Sequence, residues 1–143
     1  MVPTLLGRCE TRVFSLGVIG SLWLLIITPV LPQSAPLGDK YQATFLVLGL
    51  VIGIGLVWEV IYHGLQQFRW EKDWPAFFGL ITGVNEGLVV WGILKALPSS
   101  VAEPNGGSYV IAFTTVWLIV WMWVNGPMRV PFIHWRFRGG RII

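Results

Sequence analysis

Residues 75–97 read PAFFGLITGVNEGLVVWGILKAL, an apolar run with an amide and a carboxylate, Asn85 and Glu86, at its centre. As a helix, Ala76–Leu97 spans roughly 33 Å at 1.5 Å per residue, enough to cross a hydrocarbon core of roughly 30 Å. A proline before the run suits the first turn of a helix. Both the membrane reading and the functional question start here: such a run avoids water, yet it carries two groups that seek it.

Similar runs recur along the 143 residues. The chain is 55% hydrophobic and 12% charged, about half the charged fraction of an average soluble domain, and its mean hydropathy is +0.69. Four spans are predicted: about Val13–Leu31, Ala43–His63, Ala76–Leu97 and Tyr109–Asn125, with a basic tail over 126–143. Only helices and closed barrels satisfy the backbone in lipid, and these runs are too long and unalternating for barrel strands. The expected fold is an all-α integral membrane protein, a compact bundle of four transmembrane helices forming a single membrane domain over 1–143. Nothing between the runs is long enough to bury a soluble core. No A-x-A-like cleavage site follows the first run, so it is expected to remain as a span.

Lysine and arginine set the orientation. Arg8, Arg12, Arg69, Lys72, Arg129, Arg136, Arg138 and Arg141 fall on one side; only Lys40 and Lys95 fall on the other. Both termini and the middle loop are therefore expected in the cytoplasm, and the setting is a plasma (inner) membrane of bacterial type. The pI near 9.4 does not indicate nucleic acid, because the basic residues flank apolar runs and form no separate domain. Lipid headgroups are the expected counter-charge. Cys9 is the only cysteine, so an intrachain disulfide is impossible.

In the tail, Ile133, Trp135 and Phe137 alternate with His134, Arg136 and Arg138. A period of two predicts a short strand or an extended segment, with Trp135, Arg136, Phe137, Arg138 and Arg141 anchored among headgroups. Small residues four apart mark helix contacts in lipid: Gly79, Gly83 and Gly87 on the third span, Gly49 and Gly53 on the second, Gly17 and Ser21 on the first. The fourth span instead carries Trp117 and Trp121 on one face with Trp123 nearby. Packing is the expected role of this stripe, ahead of a quinone or pigment site.

Glu86 lies at mid-span, on the glycine face. A central acidic residue costs on the order of 2.5–3.5 kcal/mol on insertion scales and faces a bundle interior or cavity. Its functional readings are a proton relay, a cation site or an ion pair. The structural reading is a protonated carboxyl bonded to Asn85, Thr82 or a backbone carbonyl. No basic residue of this chain is expected at matching depth, since Lys95 lies near the outer end, so a charged Glu86 is expected to find its partner outside this chain. Glu59 and His63, four apart, share a face at the cytoplasmic end of the second span. With Glu86 they form a crude proton ladder; with Cys9 and His134, a weak metal reading. A helix-end hydrogen bond between Glu59 and His63 is the simpler expectation. Neither metal nor cofactor is expected, and no phosphate loop, nucleophile elbow or haem-attachment motif occurs.

The resulting expectation is a non-catalytic accessory, assembly or scaffold subunit of a larger membrane complex, with the bilayer and other membrane subunits or further copies as partners. Two alternatives stand beside it: a homo-oligomeric small transporter or channel with Glu86 in its path, and a lipid- or quinone-linked membrane enzyme subunit.

Overall fold

The computed structural model describes residues 4–69, 75–98 and 104–143. Lys72, which entered the orientation count, lies outside the described residues, as does most of the loop after the third span. Every regular element described is helical. Four helices are long and apolar enough to cross a membrane: α1 (Leu5–Val30), α2 (Leu37–Gln67), α3 (Ala76–Ala96) and the span that begins with α4 (Gly106–Asn125). A five-residue helix, α5 (Ile133–Phe137), follows.

The first helix departs most from expectation. It starts at Leu5, eight residues before the predicted span, because Thr4 caps it: Thr4 Oγ1 accepts from Gly7 N at 3.1 Å. Arg8 and Arg12 are therefore helical residues on consecutive turns, where a hydropathy reading treats them as flanks. The middle of α1, Ser15–Gly20, is a π-helical turn. Buried positions on α1 include Arg12, Leu16, Gly20, Leu24 and Thr28, four apart throughout. In a regular helix that spacing drifts by about 40° per step. The wider π turn takes up part of the drift, so the polar first half and apolar second half point into the same bundle.

The interior is divided by depth. One half is a core of apolar side chains, among them Leu24, Leu48, Val51, Val90, Leu94 and Val116. Its few polar contacts are local: Thr28 and Thr44 hydroxyls lie 3.2 Å apart, and Trp23 Nε1 donates to Thr115 Oγ1 at 3.0 Å. The other half, toward the basic end, holds the charged residues. At the core end Asn105 caps α4 by accepting from Ser108 N and also donates to Pro32 O, both at 2.7 Å. Gly106 and Gly107 are thus the first residues of α4.

The glycine face of α3 meets the aromatic stripe of α4. A Cβ on Gly79 would touch Trp121, one on Gly83 would overlap the Trp117 indole, and one on Gly87 would press on Phe113. Absent side chains let the rings reach the α3 backbone: Trp121 Nε1 donates to Ala76 O at 2.9 Å, Trp117 Nε1 to Gly79 O at 3.1 Å, and Tyr109 Oη to Gly87 O at 2.6 Å. Tyr109, Phe113 and Trp117 also stack in sequence, with centroids 5.7 and 5.6 Å apart. The α3 glycines thus meet their counterpart within the same chain. Gly17, Gly49 and Gly53 differ, having no neighbouring atoms where a Cβ would stand.

The tail is also corrected. It is no strand: α5 leads into Gly139 and Gly140, both at positive φ (66° and 86°), and the chain turns back along α1. Trp135 is 5% exposed, and its Nε1 donates to Thr11 Oγ1 at 2.6 Å. Thr4 N donates to Gly139 O at 2.8 Å, and Thr11 Oγ1 to Gly140 O at 3.0 Å. Gly7 touches the Gly139–Arg141 backbone so closely that no Cβ would fit. Trp135 is therefore a packing residue, while Arg136, Phe137 and Arg138 remain exposed.

Gly83→Val should destabilise the bundle by about 1–3 kcal/mol, as overpacking typically does. Gly92→Val, on the same helix but facing open space, should be close to neutral. Unfolding of both variants in mixed micelles checks this; equal effects would contradict the ring-on-glycine packing.

Candidate functional site

Four charged side chains from three helices converge at the inner edge of the core. Arg12 Nη1 donates to Glu59 Oε1 at 2.9 Å and to Glu86 Oε1 at 3.3 Å, while its Nη2 donates to Glu86 Oε2. Arg8 Nε donates to Glu59 Oε2 at 2.9 Å, and its Nη1 to Gln66 Oε1 at 3.1 Å. The order through space is Gln66, Arg8, Glu59, Arg12, Glu86. All four carboxylate oxygens are engaged, and two cations balance two anions. A planar guanidinium suits this task because its fork can hold two carboxylates in one plane.

Each element contributes something the arrangement requires. On α1 the four-residue spacing places Arg8 and Arg12 on one face. Glu59 and Gln66 lie seven apart on α2, so they also share a face. Glu86 comes from the middle of α3, about 15 Å from either end. Gly55 on α2 leaves room for the Arg12 guanidinium, which occupies the space where a Cβ would stand. From α4, the Trp117 ring lies 5.5 Å from Arg12 Cζ, a cation–π contact. Glu86 is 1% exposed and Arg12 8%.

The expectation that Glu86 needs a cation from another chain is overturned. Its partner is Arg12, which reaches mid-depth because α1 begins two turns earlier than hydropathy places it. The pair Glu59–His63 is also corrected. Both Glu59 oxygens are bound by arginines, and the nearest polar contact of His63 is Gln67, 3.4 Å between Nε2 atoms. Thr82 Oγ1 donates to Gly79 O at 3.1 Å within its own helix. Asn85 is separated from Glu86 altogether: it is exposed on the outer surface of α3 and makes no hydrogen bond among the described residues. Sequence reasoning missed Arg8, Arg12, Gln66 and Gly55. The available signals were Thr4 as a cap ahead of Leu5 and Leu6, and the Arg8–Arg12 spacing, which matches a helix face.

Beside this network a cavity of about 270 Å³ opens toward the basic end. It is lined by Arg8, Glu59 and Tyr62 and by Trp117, Trp121 and Trp135. Among the described residues no three His, Cys, Asp or Glu side chains gather as metal ligands would. Comparisons with protein-family models, curated proteins and solved structures give no match.

Removing one member of a buried ion pair costs about 3–5 kcal/mol, whereas replacing both by apolar groups is often near neutral. Arg12→Met alone should therefore lose about that much stability. Adding Glu86→Leu should restore most of it, since Arg8 and Glu59 still neutralise each other. Unfolding midpoints of the two variants measure the difference, and a double variant no better than the single one would sink the pairing.

Proposed function

We propose that this chain is a non-catalytic, multi-pass membrane protein that serves as an accessory, assembly or scaffold subunit of a larger membrane complex. The observation that carries the reading is Asn85. Its amide stands at the middle of a membrane-length helix, on the outside of the bundle, with Val84 and Leu88 beside it 63% and 68% exposed. An amide transferred to hydrocarbon without a partner costs roughly 2–7 kcal/mol, and in membranes such side chains bond across helices. Asn85 thus suits contact with a helix that this bundle does not supply.

The outer face of α2 supports the same reading. Phe45, Gly49, Gly53 and Val57 follow at four-residue spacing and are all exposed. The α3 glycines show what this spacing accomplishes when a ridge meets it. On α2 the same notch stands open within this chain. Catalysis has little support, because the buried ionic groups are committed to each other. Transport through one chain has little either, because Glu86 is enclosed and an apolar core lies beyond it. By the distribution of lysine and arginine, the basic end faces the cytoplasm of a bacterial inner membrane.

Asn85→Leu should leave the bundle's stability within about 0.5 kcal/mol, as for other surface changes. Loss of an interhelical bond of about 1–2 kcal/mol should weaken partner retention about tenfold. Gly49→Leu with Gly53→Leu should act in the same direction. The check is the composition of the particle purified gently from native membranes through a tag on this chain. Other chains in fixed ratio, lost in Asn85→Leu, support the proposal. A particle containing only this chain, unchanged by the substitutions, overturns it.

A further inference from the structure

Asn85 belongs to a pattern on the outside of α3. Ile81, Asn85, Leu88 and Gly92 follow at spacings of four, three and four, and all are exposed. At about 100° per residue they fall within about 60° of one another around the helix axis. The buried Gly83, Glu86, Val90 and Leu94 lie nearly opposite. Alternating steps of three and four are the heptad repeat by which two helices pack side by side. Asn85 and Gly92 take its a positions, Ile81 and Leu88 its d positions. No atom lies within 4 Å of where a Cβ on Gly92 would stand. The next position, Lys95, lies over the Trp91 ring at 4.7 Å, and the heptad face ends there.

The amide decides what covers this face. A carboxamide offers two donors and an acceptor, and among the described residues Asn85 has no partner for either. It stands about 14 Å from one end of α3 and about 17 Å from the other, so neither water nor headgroups are at hand. An acyl chain gives it nothing to bond. A foreign helix must bring a polar group of its own to this depth, whereas a second copy brings one by symmetry. Identical chains carry the same distribution of lysine and arginine and insert the same way round. A two-fold axis along the membrane normal then sets two α3 helices parallel, with both Asn85 side chains at one depth. Each amide donates to the carbonyl oxygen of the other. Ile81 and Leu88 meet their own equivalents on either side, and Gly92 leaves no side chain to hold the helices apart. A single Asn at an a position is also what fixes register in paired helices. The contact is isologous and closes at two copies.

We infer that α3 pairs in parallel with α3 of a second copy through Ile81, Asn85, Leu88 and Gly92, the two Asn85 amides bonding each other at mid-membrane. This rests on the subunit reading of Asn85 and names the helix that meets it; the open notch on α2 remains for other chains.

The test uses the purified full chain in liposomes, with donor- and acceptor-tagged copies and energy transfer followed as lipid dilutes the protein. Transfer should follow a monomer–dimer equilibrium, and Asn85→Leu should weaken it about tenfold through loss of the interhelical bonds. Disulfide capture gives a second measurement that needs no change at Asn85. With Cys9→Ser removing the native thiol, Leu88→Cys should cross-link to itself under mild oxidation, because equivalent d positions face each other. Val57→Cys, on the outer face of α2, should not. Transfer that Asn85→Leu leaves unchanged, or Val57→Cys cross-linking as readily as Leu88→Cys, overturns the pairing. A monomeric chain whose Asn85 still retains a different chain from native membranes also overturns it, while leaving the subunit reading intact. A pair that forms as described but purifies from native membranes with no other chain supports the pairing and counts against the larger complex.

Discussion

One guanidinium organises the lower half of this bundle. Arg12 is carried by α1, seated on Gly55 of α2, bonded to Glu59 of α2 and Glu86 of α3, and faced by Trp117 of α4. No other described side chain is in contact with all four helices through charge, hydrogen bond and ring. A desolvated cation tolerates few positions: it must lie where two carboxylates can be reached at once. That requirement sets the rotation of α1 and the depth of α3 relative to α2 far more sharply than apolar contact does, because Leu and Val side chains pack acceptably in several registers.

The α3–α4 seam works by shape. Its aromatic ridge and glycine groove are complementary because rings need flat space and glycines supply it, while indole and phenol donors add direction by reaching main-chain carbonyls. Trp117 belongs to both the seam and the ion network. Its N–H holds α3 through Gly79, and its ring faces Arg12. The shape-driven contact and the charge-driven one are consequently in register with each other, and a shift in either would be felt by the other through that indole.

Much of the architecture was legible in the residues. The four helices, the α3 glycine face and the burial of Glu86 all follow from hydropathy, spacing and the cost of a carboxylate in lipid. The misreading of the site traces to one assumption, that a membrane helix begins where its charges end. Hydropathy measures transfer from water, whereas the start of a helix is set by capping, and Thr4 outweighed the charged turns that follow. With α1 begun at Val13, Arg12 became a flank, Glu86 lost its partner, and Asn85 and Glu86 looked like one polar site. They are two: one carboxylate turned inward to an arginine, and one amide turned outward. The tail was misread for a different reason. Its alternation is genuine, but a five-residue segment has no preference strong enough to resist Thr11 and Gly7, which offer a hydrogen bond and a flat backbone to dock on.

The order of the chain gives the Arg12 network a history. The helix bearing both arginines is synthesised first, Glu59 about fifty residues later, and Glu86 later again. Until then α1 holds Arg8 and Arg12 in its first turns, with Glu10 between them but neither network carboxylate to meet them, which disfavours deep insertion. The segment that clasps α1 through Gly139 and Gly140 follows all four spans in the chain. Assembly of this membrane domain is therefore back-loaded: the Arg12 network can close only after α2 and α3 have been made, and the clasp on α1 only after α4.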